Sequence, residues 1–441
     1  FHPAPDQESA SISLARDPKG VLHRVHTGYD GKTRDLIYYG RCDAADCGTS
    51  QENWAVAAIP LKGVSKTQIA ATPDGQPRVL AIAYSPPEKT GYTRSYYYGE
   101  CNDACEQPAN WSFTAVADSG DNSISEVLNL RVPDRTFALD PQGRPRFVFT
   151  DANYVIEPDH YGAFVMSCDV DCLEKSNWAE TDLALHIPEA YRTEQFTKPV
   201  LAIGADGTIG VLSKVYAFDS SGKEMKNGLY YYACKDGCTE RTNWTRAFVL
   251  DTGGGSYPNP TWDLAFTRQG QPRIAQFAGD GMERADLNRE LIYLWCNDAC
   301  DKDASWNGST VQPGKGIGEA ADLVLDAQDR PRIAMLTGDG QIALAVCNED
   351  CETEKPQWKS DLVEAMSVVE KDRPQAMPFH CDGEVWNGLM PSMVQGDGEV
   401  TIGYDVVVSA RCLYKDYQEP VPSFTFHELY HGTRITRFGV K

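Results

Sequence analysis

The stretch 96–111, YYYGECNDACEQPANW, constrains this chain more than any other because it recurs. An aromatic or β-branched run, two cysteines four or five residues apart, and a tryptophan ten to twelve residues after the first cysteine return at Cys42, Cys101, Cys168, Cys234, Cys296 and Cys347. The tryptophans are Trp54, Trp111, Trp178, Trp244, Trp306 and Trp358. Cys412, with Phe424 twelve residues on, reads as a seventh copy. A second signal precedes every copy: a turn rich in Asp, Gly and Pro between two short apolar runs, at 17–20, 73–78, 140–146, 205–208, 268–273, 326–332 and 396–399. Those residue types at fixed offsets are turn chemistry, and the flanking runs have strand length and composition.

Each repeat therefore reads as four strands: one before the turn, one after it, one ending at the first cysteine and one starting at the tryptophan. Four short strands returning seven times is the pattern of sheets arranged radially around an axis. The expected fold is all-β, a seven-bladed β-propeller with four antiparallel strands per blade and a local disulfide in most blades. One domain spans 1–441, with blades near 9–60, 66–117, 127–185, 196–250, 257–312, 318–364 and 386–441. A tryptophan whose place is set by the repeat is expected to pack blade on blade.

The cysteines then decide the compartment. Fourteen are present, and twelve fall into the local pairs Cys42/Cys47, Cys101/Cys105, Cys168/Cys172, Cys234/Cys238, Cys296/Cys300 and Cys347/Cys351. Zinc binding by paired thiolates needs pairs that converge, and pairs spread around a ring do not. Local disulfides are expected instead, with Cys381 and Cys412 pairing with each other. Disulfides persist in oxidising compartments, so the chain is expected to be secreted or periplasmic, numbered from a processed N-terminus. A net charge of −22 disfavours nucleic acid and anionic membranes as partners. No apolar run is long enough to span a bilayer, so membrane insertion is not expected. A monomer is.

The motif His427-Glu428-Leu429-Tyr430-His431 has the zinc-peptidase spacing, which works only on a helix. The repeat register places it in the outermost strand of blade seven, and no further His, Asp or Glu follows. A metal site is not expected there. Sialidase-type boxes and a phosphate-binding loop are absent. The Asp-rich segments 118–123, 279–281 and 338–340 are where a structural calcium would bind, although turn formation is their expected role. No cofactor is required.

Loop lengths separate two faces. The tight turns and the cysteine loops share one. The other receives long, dissimilar connections at 85–94, 150–161, 186–196, 217–228, 251–260, 278–290 and about 364–390. Binding residues concentrate in loops held by a rigid scaffold. This irregular face collects His160, Tyr154 and Tyr161 from blade three, and His186, Tyr191, Arg192 and Lys198 from the link to blade four. Tyr216, Tyr257 and Trp262 follow, with Arg94, Arg289, Arg284, His26 and His380 on the same side. Aromatic rings stack on sugars, and Arg or Lys pairs with carboxylates and sulfates.

Seven blades, secretion and a face rich in His, Tyr and Arg resemble the secreted seven-bladed propeller lyases that cleave algal acidic polysaccharides, the ulvan lyases. The resemblance spans the whole chain as architecture and rests on no specific motif. It implies metal-independent β-elimination on an acidic, uronate-containing and possibly sulfated polysaccharide. The residues are chosen here from loop position and chemistry: His160 as proton acceptor, Arg192 as carboxylate clamp, Tyr216 or Tyr257 as general acid or base partner. The remaining loop residues Tyr154, Tyr161, His186, Tyr191, Lys198, Trp262, Arg94 and Arg289 are the candidates for substrate binding. The repeated cysteine and Asn-Trp unit also resembles repeats of many secreted bacterial propellers. A non-catalytic lectin or adhesion module, or a protein-binding scaffold, would use the same face.

Overall fold

The computed structural model describes residues 9–28, 36–43, 47, 53–59, 61, 63–85, 92–121, 135–151, 162–184, 186–187, 192–193, 195–216, 227–251, 261–278, 290–312, 317–337, 341–353, 355–364, 381–413 and 424–440. Six sheets of four antiparallel strands follow one another at 9–59, 64–121, 137–182, 195–251, 262–312 and 317–364, each in sequential strand order. A seventh sheet, 381–439, has three long strands among the described residues. Together they form the seven blades of a β-propeller.

Seven apolar clusters hold the blades together, one at each interface between neighbours. The repeated tryptophans stand in these walls. Trp111 meets Tyr39 of the preceding blade edge-on, with ring centroids 5.1 Å apart, and Trp178 meets Tyr98 at 5.4 Å. Trp306 and Trp358 repeat the contact with Tyr231 and Tyr293. Such pairs add to the burial of the rings themselves. Among the described residues, Ile12, Leu14, Leu22 and Trp54 of blade one meet Ile435 of blade seven at the seam that closes the ring.

Hydrogen bonds form a ring of their own. At every interface a group on one innermost strand accepts a hydrogen bond from the next blade, and six of the seven donors are backbone N–H groups. Ser11 Oγ accepts from Thr67 N (3.1 Å), Gln68 Oε1 from Thr136 N (2.9 Å) and Arg135 O from Leu201 N (2.6 Å). Lys198 O accepts from the Trp262 indole (2.9 Å), Asp263 Oδ2 from Leu323 N (2.7 Å), Asp322 from Met393 N, and Ser392 Oγ from Leu14 N (2.9 Å). Edge groups that would otherwise be buried without a partner are thereby satisfied.

Each tight turn between first and second strands contains one left-handed residue: Gly20, Gly75, Gly143, Gly207, Gly270, Asp329 and Gly398. The position needs positive φ, which explains the recurring glycine. Asp17, Asp140 and Asp326 open three of these turns, their Oδ1 accepting two backbone N–H groups each. The arginine of the Pro-Arg pairs is a clamp: Arg78, Arg146, Arg273 and Arg332 donate to the carbonyl of the first cysteine of their own blade.

All six local cysteine pairs are disulfides, and each closes the loop between the third and fourth strands of its blade. Cys42–Cys47 has its Cα atoms 5.8 Å apart; Cys101–Cys105, Cys168–Cys172, Cys296–Cys300 and Cys347–Cys351 are at 5.7 Å, and Cys234–Cys238 at 5.6 Å. These separations suit an unstrained bridge. The first cysteine of every pair is buried. The second differs from blade to blade: Cys47, Cys105 and Cys172 are buried, whereas Cys238, Cys300 and Cys351 are only half-buried. The indoles of Trp54, Trp111, Trp178 and Trp244 donate to the carbonyls of Cys47, Cys105, Cys172 and Cys238. These four cross-linked loops are thus tied to the walls of their blades.

Blade seven corrects the repeat alignment. The turn at Gly398 joins its first strand, Cys381–Gly396, to its second, Glu399–Leu413, so Cys412 ends the second strand and not the third. Cys381 and Cys412 are direct register partners across these strands. Phe424 starts the third strand, Phe424–Gly439, and the His427–His431 motif lies in it. That strand is outermost among the three. A register shift between Val408 and Ser409 pairs His431 with Val407 but His427 with Ala410, so the two histidines occupy ladder positions of opposite parity.

Candidate functional site

On the irregular face, second strands end and third strands begin. In blade three these ends are the register partners Asp151 and Gly162, which bracket the segment carrying Tyr154, His160 and Tyr161. Those three residues lie outside the described residues, as do Tyr191, Tyr257, Arg284, Arg289 and His380. The next link is better defined. A two-stranded ribbon pairs His186 with Thr193 and Ile187 with Arg192. Two residues later the first strand of blade four begins at Gln195, whose register partner is Tyr216, the last residue of the second strand. Three residues of extended chain span at most about 10 Å, so the backbones of Arg192 and Tyr216 belong to one corner of blade four. The disulfides take no part in this corner: Cys47, Cys105, Cys172, Cys238, Cys300 and Cys351 follow the ends of third strands, on the opposite face.

Lys198 sits in a bulge of the same first strand, between Thr197 and Val200, with left-handed φ of 49°. Its carbonyl receives the Trp262 indole N–H at 2.9 Å. This bond corrects the sequence-based placement of Trp262. The ring is 3% exposed and packs with Leu212, Leu229 and Leu264 in the wall between blades four and five, so it is not offered to a sugar at the surface. Arg94 is also buried. It lies within the third strand of blade two, opposite Tyr84 and Ser119, rather than in a loop. His26 is buried with its ring stacked on Tyr38, centroids 5.4 Å apart. Burial, with Arg24 nearby, holds its imidazole well below the ordinary range, so it stays neutral at physiological pH.

Sequence reasoning missed two features. The first is Lys214, two residues before Tyr216 on the second strand of blade four and buried. Burial lowers its ammonium pKa, with Asp251 acting in the opposite direction. A lysine within the apolar run IGVLSKVY was the available signal. The second is on the axis. Arg135 of blade three pairs with Asp322 of blade six, and donates to Pro391 O at 2.6 Å and Ser392 Oγ at 3.5 Å in blade seven. Blades three and six are not neighbours in a ring of seven, so this side chain crosses the central channel. Burial drives the Asp322 carboxyl well above the usual carboxylate range; Arg135 opposes this, and Asp263 reinforces it. Carboxylates inside the otherwise apolar first strands WDLAF and IGEAADLVL were the signal.

Chemically, the corner of blade four holds a ribbon carrying Arg192, a tyrosine at a strand end and a lysine of lowered basicity, on a scaffold whose axis is crossed by an ion pair. Among the described residues no group of three or more His, Cys, Asp or Glu is placed to hold a metal ion. Asp118, in one Asp-rich segment, lies in a strand and accepts from Ser95 at 2.7 Å. The segments at 279–281 and 338–340 lie outside the described residues.

No protein-family model matches the chain, and no curated protein matches it by sequence. Solved structures do match by fold. The polysaccharide lyase Uly1 aligns over 100% of this chain and 92% of its own, with a TM-score of 0.53 and 10% identity. The BP39L lectin from Burkholderia pseudomallei aligns over 94% and 99%, at TM-score 0.46 and 11% identity. An α-L-arabinanase from Penicillium chrysogenum aligns over 79% and 96%, at TM-score 0.45 and 12% identity. At these identities the likeness is one of fold.

Proposed function

We propose that this protein is a secreted or periplasmic polysaccharide lyase acting on an acidic, uronate-containing polymer across its irregular face. The observation that supports this reading is the corner of blade four, where the register brings the backbones of Arg192 and Tyr216 together. A further support is the fold shared with the polysaccharide lyase Uly1. The six disulfides fit an oxidising compartment.

In this reading Arg192 binds the uronate carboxylate and neutralises the charge that grows on it when the C5 proton leaves. His160 takes that proton, the C5–H electron pair becomes the C4–C5 double bond, and the C4–O bond breaks. Tyr216 or Tyr257 delivers a proton to the departing oxygen. Every step uses side chains of this chain, and protons and electrons balance without a further reactant.

The test is incubation with ulvan and other uronate polymers while following the ultraviolet absorbance of the unsaturated product. Turnover in the wild type that falls at least ~100-fold in His160→Ala and Arg192→Ala is the expected outcome. No product across a broad panel defeats the reading. Glycan binding without turnover, unchanged by His160→Ala, would identify a lectin instead.

A further inference from the structure

We propose that the disulfides Cys296–Cys300 and Cys347–Cys351, in blades five and six, form a site of thiol–disulfide exchange whose co-reactant is a dithiol reductant. The proposal is independent of the lyase reading, since both bridges lie on the face opposite Tyr216 and Arg192. Cysteine loops of one design recur around the ring, so what sets these two apart is how each loop is held.

The first cysteine is held alike in most blades. Arg78, Arg146, Arg273 and Arg332 donate to its carbonyl in blades two, three, five and six. The second cysteine is not. In blades two, three and four the asparagine before the tryptophan donates to loop carbonyls: Asn110 to Asp103 O and Ala104 O at 3.1 and 3.2 Å, Asn177 to Val170 O and Asp171 O at 3.2 Å each, and Asn243 to Gly237 O at 2.9 Å. The indoles of Trp111, Trp178 and Trp244 then hold the carbonyl of the second cysteine itself, and in blade one Trp54 does this for Cys47. Blades five and six carry Ser305 and Gln357 in place of the asparagine. The indole nitrogens of Trp306 and Trp358 are buried without a hydrogen-bond partner among the described residues, and one side-chain bond, from Thr353 Oγ1 to Asp350 O at 2.8 Å, remains in the blade-six loop. Burial agrees: Trp306, Trp358, Cys300 and Cys351 are half-buried, whereas Trp111, Trp178, Cys105 and Cys172 are buried.

The chemistry follows from that difference. The thiolate of a dithiol attacks Sγ of Cys300 or Cys351, the sulfur–sulfur bond breaks, and its electron pair leaves on Cys296 or Cys347, which takes up a proton. The second thiolate of the reductant attacks the mixed disulfide, so the reductant ends as its own disulfide and the loop as two thiols. Two electrons and two protons pass from the dithiol to the loop. Where Asn and Trp bonds fix the second cysteine, its thiol stays beside the first and the bridge closes again. Where those bonds are missing, the freed cysteine moves away and the reduced form persists. The two bridges make one patch: Glu352, next to Cys351, accepts from Arg273 Nε at 2.8 Å and from Asn297 Nδ2, next to Cys296, at 3.1 Å.

The experiment treats the native full chain with limiting dithiothreitol, quenches with N-ethylmaleimide at intervals and locates the labels by peptide mass spectrometry. Cys296, Cys300, Cys347 and Cys351 should label at least about tenfold faster than Cys101, Cys105, Cys168 and Cys172. Cys234 and Cys238 should react with the slow group, because Cys238 is half-buried but its loop keeps both bonds. Asn110→Ser should speed labelling of Cys101 and Cys105, and Ser305→Asn should slow that of Cys296 and Cys300, with circular dichroism unchanged in both variants. One rate for all six bridges, a blade-two or blade-three bridge reacting first, Cys234–Cys238 reacting as fast as the bridges of blades five and six, or labelling unaltered by Asn110→Ser would each overturn the proposal.

Discussion

Replacing Arg135 with alanine should destabilise the protein by an amount that depends on pH. The side chain is 20% exposed and its partner Asp322 is 3% exposed, so the pair is poorly screened. Two components make up the loss. Hydrogen bonds to Pro391 O and Ser392 Oγ contribute about 1 kcal/mol each at any pH. Loss of the positive charge beside a buried carboxylate adds more, up to the ~3–5 kcal/mol typical of a broken buried pair, but only while that carboxylate is ionised. Asp322 has a folded-state pKa raised by burial above its unfolded value of about 3.9. Its contribution is therefore full below about pH 4 and is lost as pH rises toward the raised value. Without Arg135 the folded value rises further, so the deficit of the variant widens with pH. The expected loss is roughly 1–2 kcal/mol near pH 5 and roughly 3–4 kcal/mol near pH 8. Urea unfolding of both proteins at the two pH values measures it, and the double variant Arg135→Ala with Asp322→Asn should lose the pH dependence. An equal deficit at both pH values, or one below about 1 kcal/mol throughout, would refute the assignment of a cross-channel ion pair.

Other consequences are local. Ala104 and Ala299, each just before the second cysteine of its loop, have φ of 47° and 51°. Ala104→Gly and Ala299→Gly should each stabilise by about 0.5 kcal/mol, the relieved strain exceeding the added chain entropy, and an unchanged or lower melting temperature would count against this. The Trp178 indole donates to Cys172 O, whereas Trp306 Nε1 has no partner among the described residues. Trp178→Phe should therefore cost about 1 kcal/mol more than Trp306→Phe, as denaturation midpoints would show. Removing the loop cross-link by Cys101→Ala with Cys105→Ala should cost about 2 kcal/mol in the chain-entropy account; a loss indistinguishable from zero contradicts it. Burial brings His23 down to about 4 and holds His26 well below its ordinary value. The unfolded chain therefore binds more protons than the native one below about pH 6.5, and these residues take stability away as pH falls through that window. His26→Gln should reduce this acid sensitivity, provided its melting temperature at pH 8 stays near that of the wild type.

Blade number, the turn positions, the six local disulfides and the packing role of the tryptophans were legible in the residues because each is set by local chemistry. A left-handed turn wants glycine, a short loop with two cysteines closes on itself, and an aromatic at a fixed place in a repeat meets the same neighbour every time. What the spacing did not reveal is that Cys238, Cys300 and Cys351 are less deeply buried than Cys47, because that depends on how the neighbouring blade covers the loop. Blade seven was misread through the same local logic. There Cys412 ends the second strand, in register with Cys381, and so imitates the signal that ends the third strand in the other blades. Trp262 and Arg94 were misplaced because a loop residue and a strand-end residue look alike until the register is known.

Sequence alone thus determined the ring, its period and its local disulfides, which depend on contacts between residues close in the chain or repeated along it. Tertiary structure alone decided what crosses the ring. Arg135 and Asp322 are 187 positions apart, in blades that are never adjacent, and no periodic signal relates them. Their meeting depends on the channel being narrow enough for one arginine to span, a property of seven packed sheets together.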